Sequence, residues 1–175
     1  AHLYRQILSS LRLIKEEDNI DIRLHEQMDH ARILYNKGLY LQSLKVLDKL
    51  KDTARSYQQL TYLQQALFFE KKIETLYITR SMQDRADKLA AEADAVHAQL
   101  TLVNKLSNLS LQLYSWYIQH GHARNEKDIK SITAFFEKQL PADARQAKGF
   151  YEKLYQYQAY VWYAFIRQDF LQYYR

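Results

Sequence analysis

Gln27–Leu50 reads QMDHARILYNKGLYLQSLKVLDKL, and its pattern decides the fold. Met28, Ala31 and Leu34 recur at helical spacing up to Gly38, and Tyr40, Leu44, Leu47 and Leu50 recur beyond it. Two amphipathic helices joined so closely must lie antiparallel. Ala31 and Ser43 supply small side chains where the two would press together. Gly38 suits a left-handed C-terminal turn, because it has no Cβ to clash there. One such pair cannot hide its apolar sides alone and must stack on others. The chain is therefore predicted to be an all-α assembly of repeated helix pairs.

Composition points the same way. The 175 residues include three glycines and one proline, too few for the turns of a β-sandwich or an α/β fold. Gly38, Gly121 and Gly149 are far apart, so no phosphate-cradling loop can be drawn. With no cysteine, disulfides, thiolate nucleophiles and cysteine zinc sites are excluded. Length suggests a single domain over 1–175. No apolar run is long enough to span a bilayer and the N-terminus lacks signal-peptide form, so a cytoplasmic location is expected. The net charge of +5 is spread through interleaved runs such as KVLDKLKDTAR and EKKIE. Such runs read as solvated helix faces rather than a basic stripe, which disfavours nucleic acid as a partner.

Along the chain, Leu3, Ile7, Leu11 and Ile14 predict a first helix, ending in an EEDN cluster that caps the next. The second carries Leu24, Met28, Ala31 and Leu34, and the third Tyr40 to Ala54. A fourth is expected from Tyr57 to Thr79. Met82, Ala86, Leu89, Ala93, Val96, Leu100 and Val103 then follow a heptad spacing. This fifth helix either runs unbroken to His120, roughly 58 Å, or breaks at Asn104–Ser110. Gly121 opens a loop, and a sixth helix holds Ile129, Ile132, Phe135, Phe136 and Leu140 before Pro141. Asp143 is read as the cap of a seventh, with Phe150, Leu154, Tyr157, Val161 and Ala164 on one face and aromatics nearly all round, central to the packing. An eighth is expected from Asp169. A chain that stops as an amphipathic segment starts suggests a piece of a longer solenoid.

These residues resemble a tetratricopeptide repeat (TPR). The repeat positions correspond to Ala31, Leu34, Gly38, Tyr40, Ser43, Leu47 and Leu50. Leu50 is larger than that pattern wants, and Gln27 stands where a Trp is usual. The match covers about residues 24–54, a degenerate second copy is traced near Val161, and the rest departs from a 34-residue period. The resemblance implies an α-α superhelix of about seven helices plus the start of an eighth, similar to divergent bacterial TPR-like proteins. It also implies a concave groove lined by the exposed side of the first helix of the pair: His25, Arg32, Tyr35 and Asn36, with Met28 shared between groove and core. The chaperone-binding carboxylate-clamp subclass is disfavoured, since Met28 and Arg32 stand where it carries Lys and Asn.

The implied function is a non-catalytic scaffold for a protein or peptide. Arg32 would grip a carboxylate and Tyr35 serve as an anchor. The alternative is a regulatory sensor that binds a peptide or nucleic acid and switches a neighbouring domain. No cofactor or metal is called for. His25 and His30 lie about 140° apart around a helix, and HEQMDH misses the zincin spacing by one residue. His120 and His122 would need further ligands. Most of the fifteen tyrosines sit at helical spacing beside Leu and Phe, where packing accounts for them better than base stacking. No nucleophile turn exists, and Asp and Glu fall on faces read as solvated, so no catalytic residue is assigned.

Overall fold

The computed structural model describes residues 19–76 and 82–169, besides Leu3, Gln6, Ile7 and Ser10, and of 82–84 only the backbone. The helix expected over Leu3–Ile14 and the one expected to follow Asp169 lie outside the described residues. Within them the chain is helical, with no strand. The α-helices are α1 (Ile20–Asn36), α2 (Tyr40–Ser56), α3 (Leu60–Leu76), α4 (Met82–His120), α5 (Glu126–Gln139) and α6 (Phe150–Arg167), with one 3₁₀ turn at Ala144–Gln146. Two compact units result, Ala1–His97 and Ala98–Arg175.

In the first unit, the Asn19 side chain starts α1 by accepting from the Asp21 and Ile22 amides at 2.9 and 3.5 Å. Gly38 ends it at φ +76°. The Gly38 amide reaches Tyr35 O and the Leu39 amide reaches Leu34 O, a Schellman turn that reverses the chain into α2. Leu24, Met28 and Ala31 then meet Leu44, Leu47 and Leu50 in the core. Ser43 is fully buried and donates its hydroxyl to the Ala31 carbonyl at 2.7 Å. A larger residue at either position would push the helices apart.

The fourth expected helix starts later than its pattern suggested, and its expected end lies outside the described residues. Tyr57–Gln59 form a turn instead, with Gln58 at φ +55°. Its amide bonds to Arg55 O, and that of Gln59 to Ala54 O, repeating the Gly38 arrangement without a glycine. The partner atoms give the directions of the helices. Tyr35 packs on Tyr40 and Ser43 on Ala31, so α1 and α2 are antiparallel. His25 meets Tyr62 and Tyr35 meets Phe69, so α1 and α3 run the same way.

Helix α4 is continuous through Asn104–Ser110, where Leu106 and Leu109 are buried. Its expected seam is buried at Leu89, Ala93 and Val96, while Ala86 is exposed and Leu100 and Val103 are only half-buried. In the second unit the buried positions are Leu102, Leu106, Leu109 and Leu113. Gly121, at φ +72°, ends α4 as expected.

In the second unit Leu109, Leu113, Ile132, Phe136, Ala159, Tyr163 and Ile166 form one core, in which Phe136 and Tyr163 stack at 4.1 Å between centroids. Leu140 is extended ahead of Pro141, which stops α5. Two expectations fail here. The Asp143 side chain caps nothing; Glu152 holds the start of α6 by accepting from the amides of Lys148 and Gly149 at 2.7 and 3.0 Å. And Phe150, Leu154, Tyr157 and Val161 are exposed, with only Ala164 of that face buried. Tyr163 and Ile166 point inward in their place, because small Ala159 lets α5 approach that side.

Candidate functional site

The flank of α1 expected to line a groove stands beside α3. Arg32 and Asn36 are exposed, and Arg32 makes only a 3.6 Å ion pair with exposed Asp29. Surface pairs of this kind contribute little, so the guanidinium can exchange partners readily. His25 is exposed and sets its ring edge-on to Tyr62 of α3 at 5.0 Å. Tyr62 is held further by its hydroxyl, 3.4 Å from the Asp21 carbonyl. Burial first, and the Asp21 charge second, push its pKa above the ordinary tyrosine value.

Tyr35 is placed differently from its neighbours. Half-buried, it packs on Tyr40 at 5.4 Å and Phe69 at 5.3 Å, and Lys72 of α3 lies 4.8 Å over its ring. Its body is engaged in packing, and the cation above it is what faces outward. Met28 is buried and belongs to the core. Of the repeat positions, Ala31, Ser43, Leu47 and Leu50 are buried, Leu34 and Tyr40 half-buried, and Gly38 makes the turn. The exposed side chains on this flank are thus His25, Arg32 and Asn36 from α1, with Lys72 from α3.

A second feature of this unit escaped the reading of its charges as solvated. Lys51, Glu70 and Glu74 are buried. Lys51 donates to Glu70 and lies 3.1 Å from Asp48; Arg85 reaches the other Glu70 oxygen at 3.1 Å and Glu74 at 2.9 Å. Arg55 bridges Asp52, at 2.7 Å, and Glu92. Burial opposes the Lys51 charge, but the hydrogen bond and charge of Glu70, then those of Asp48, outweigh it. Its pKa therefore lies above the ordinary lysine value.

The cluster tethers α2, α3 and the start of α4. It borders a cleft of about 300 Å³ lined by Asp48, Lys51, Glu70, Arg85, Lys88, Leu89 and Glu92. Three carboxylates and three cations line it, and Lys51, Glu70 and Arg85 are already paired with one another. The signal was in the sequence: Lys51 interrupts the stripe Leu47–Ala54, and Glu70 and Glu74 flank Ile73 in another.

The histidines are separately engaged. His120 Nδ1 lies 3.1 Å from Trp116 O and His122 Nδ1 3.0 Å from Phe165 O. Among the described residues no group of three or more His, Cys, Asp or Glu side chains could hold a metal ion, and no helix is long and apolar enough to cross a membrane. In comparisons with known proteins, no family model, no curated protein and no solved structure matches the chain.

Proposed function

We propose that the chain is a non-catalytic helical-repeat scaffold, TPR-like in its stacking, whose α1–α3 face receives an acidic peptide or protein segment. One observation carries this reading: α1 with α3, and α2 with α4, share contacts at the same interval. Arg55 of α2 meets Glu92 of α4 across 37 positions, and the same interval separates His25 from Tyr62 and Tyr35 from Lys72. That regularity is expected of one supersecondary unit laid on the next. It places the outer sides of α1 and α3 next to each other.

Arg32 and Lys72 supply positive charge on that face, which favours carboxylates. The buried carboxylates Glu70, Glu74 and Glu152 are each held by a cation or by backbone amides, an arrangement that supports a structural role for them over proton transfer. The test compares the wild-type chain with an Arg32→Ala, Lys72→Ala double variant in affinity capture from the native lysate at matched salt. The expected result is a partner retained by the wild type and reduced at least about tenfold in the variant, with an unchanged circular-dichroism melt. Equal recovery by both would remove the α1–α3 face from consideration.

A further inference from the structure

Among the described residues of the second unit, a broad apolar face is exposed. Phe150, Leu154, Tyr157 and Val161 recur along α6 at helical spacing, and Leu111, Tyr114 and Ile118 do so along α4. All seven are 37–66% exposed. The two stripes border a single junction. Tyr114 lies 5.1 Å from Trp162, the neighbour of Val161, and Tyr117 lies 5.2 Å from Phe165. Helix α5 packs on the opposite side. Its Ile132 and Phe136 meet Leu109 and Leu113 of α4 and Ala159 of α6, each two positions, or about 200° of helix, from a stripe residue.

The face is also free of charge along α4. From Leu106 to Ala123 there is no Asp, Glu, Lys or Arg, in a chain of which 26% is charged. Interface cores are depleted of charge in this way, because a charge there must be desolvated without a partner. Seven side chains at this exposure offer on the order of 800 Å², the share each partner brings to a standard interface.

We propose that this face joins two copies of the chain. A charged partner would strand its own ions against the uncharged α4 stripe, so the face suits one that is equally apolar and aromatic, and it is itself such a surface. Elsewhere two copies carrying +5 each repel, whereas the α4 stripes meet without placing like charges together, and exposed Lys153 stands at the rim of the α6 stripe beside Phe150 and Tyr157. Pairing about a two-fold axis closes the assembly and covers both stripes of this face.

Sedimentation of the full chain over a wide concentration range tests this. The wild type should pass reversibly from 21.0 kDa to twice that mass. Ile118→Lys and Tyr157→Lys should each weaken the association at least about tenfold, since each buries an unpaired charge at the interface. Both positions are exposed, so both variants should melt as the separated wild-type monomer does. Ile33→Lys, an exposed position in the first unit, should leave the dimer intact. The proposal is overturned by a wild type that stays monomeric throughout, or by a dimer indifferent to both lysines. A monomer that Ile118→Lys destabilises would also overturn it, since the chain's own residues would then cover the face.

Discussion

In the first unit Lys51 and Glu70 meet inside a leucine core, whereas the centre of the second is Phe136 stacked on Tyr163. Both arrangements fill the space between helices, but they constrain it differently. An ion pair at a fixed depth is satisfied at one register only: sliding α3 by a turn would strand Lys51 and Glu70 together. Aromatic faces lose contact more gradually as they slide, and the second unit adds direction through the Tyr163 hydroxyl, 3.0 Å from both Thr133 and Arg167. Register is thus held by charge in one unit and by rings with polar edges in the other.

The largest effect that would break this contrast is at Glu70. Glu70→Leu removes the buried counter-charge of Lys51, leaving it only exposed Asp48, and one of the two carboxylates of Arg85, and should cost about 3–5 kcal/mol in urea unfolding. Adding Lys51→Met should recover most of that loss, because two apolar side chains of matching volume can replace a buried ion pair. A double variant no more stable than Glu70→Leu alone would mean that Glu70 acts through Arg85, and that the Lys51 pair does not set the register.

Both units end helices with one glycine and one glutamine in left-handed geometry: Gly38 and Gln58 in the first, Gly121 and Gln168 in the second. At Gly38 an added Cβ would meet nothing within 4 Å, so a substitution there is opposed by backbone strain alone. Gly38→Val should cost more than about 1 kcal/mol. Gln58→Gly and Gln168→Gly should each gain up to about 1 kcal/mol, by relieving the same strain. A stabilisation at one glutamine and none at the other would show that the units differ in their turns as well as their cores. Thermal melts of the single variants resolve this.

These turns mark how far the sequence could be read. Gly38, Gly121 and Pro141 announce themselves, because only those residue types carry a backbone signature. Gln58 and Gln168 carry none, so the start of α3 was drawn three residues early. The Ala31–Ser43 approach was legible because small residues in a large-residue stripe mark a close crossing. Lys51, Glu70 and Glu74 were misplaced for the opposite reason: their charge outweighed their position in the stripe. On α6, aromatics occupy every side, so periodicity could not select the inward face; Ala159 selected it by letting α5 in. Of the candidate face, His25, Arg32 and Asn36 stand outward as drawn. Tyr35 is turned into packing by Phe69 and Tyr40, partners that only the tertiary arrangement brings to it.

The smallest effect separates the two units by pH. Lys51 has a folded pKa above its ordinary value because Glu70 and Asp48 outweigh burial. A raised lysine contributes stability that is fully present below the unfolded value near 10.5 and is lost as pH rises through the folded one. Tyr62, raised by burial and by Asp21, acts in the same direction from about 10.0, so the wild-type loss alone does not identify its source. Lys51→Met with Glu70→Leu removes the lysine contribution and keeps Tyr62. Urea unfolding between pH 9 and pH 11 should therefore fall less steeply in that double variant than in the wild type. Near-ultraviolet signals from Trp116 and Trp162, both in the second unit, should show the smaller pH response. Identical alkaline slopes for wild type and double variant would mean that the Lys51 charge contributes nothing to holding α2 against α3.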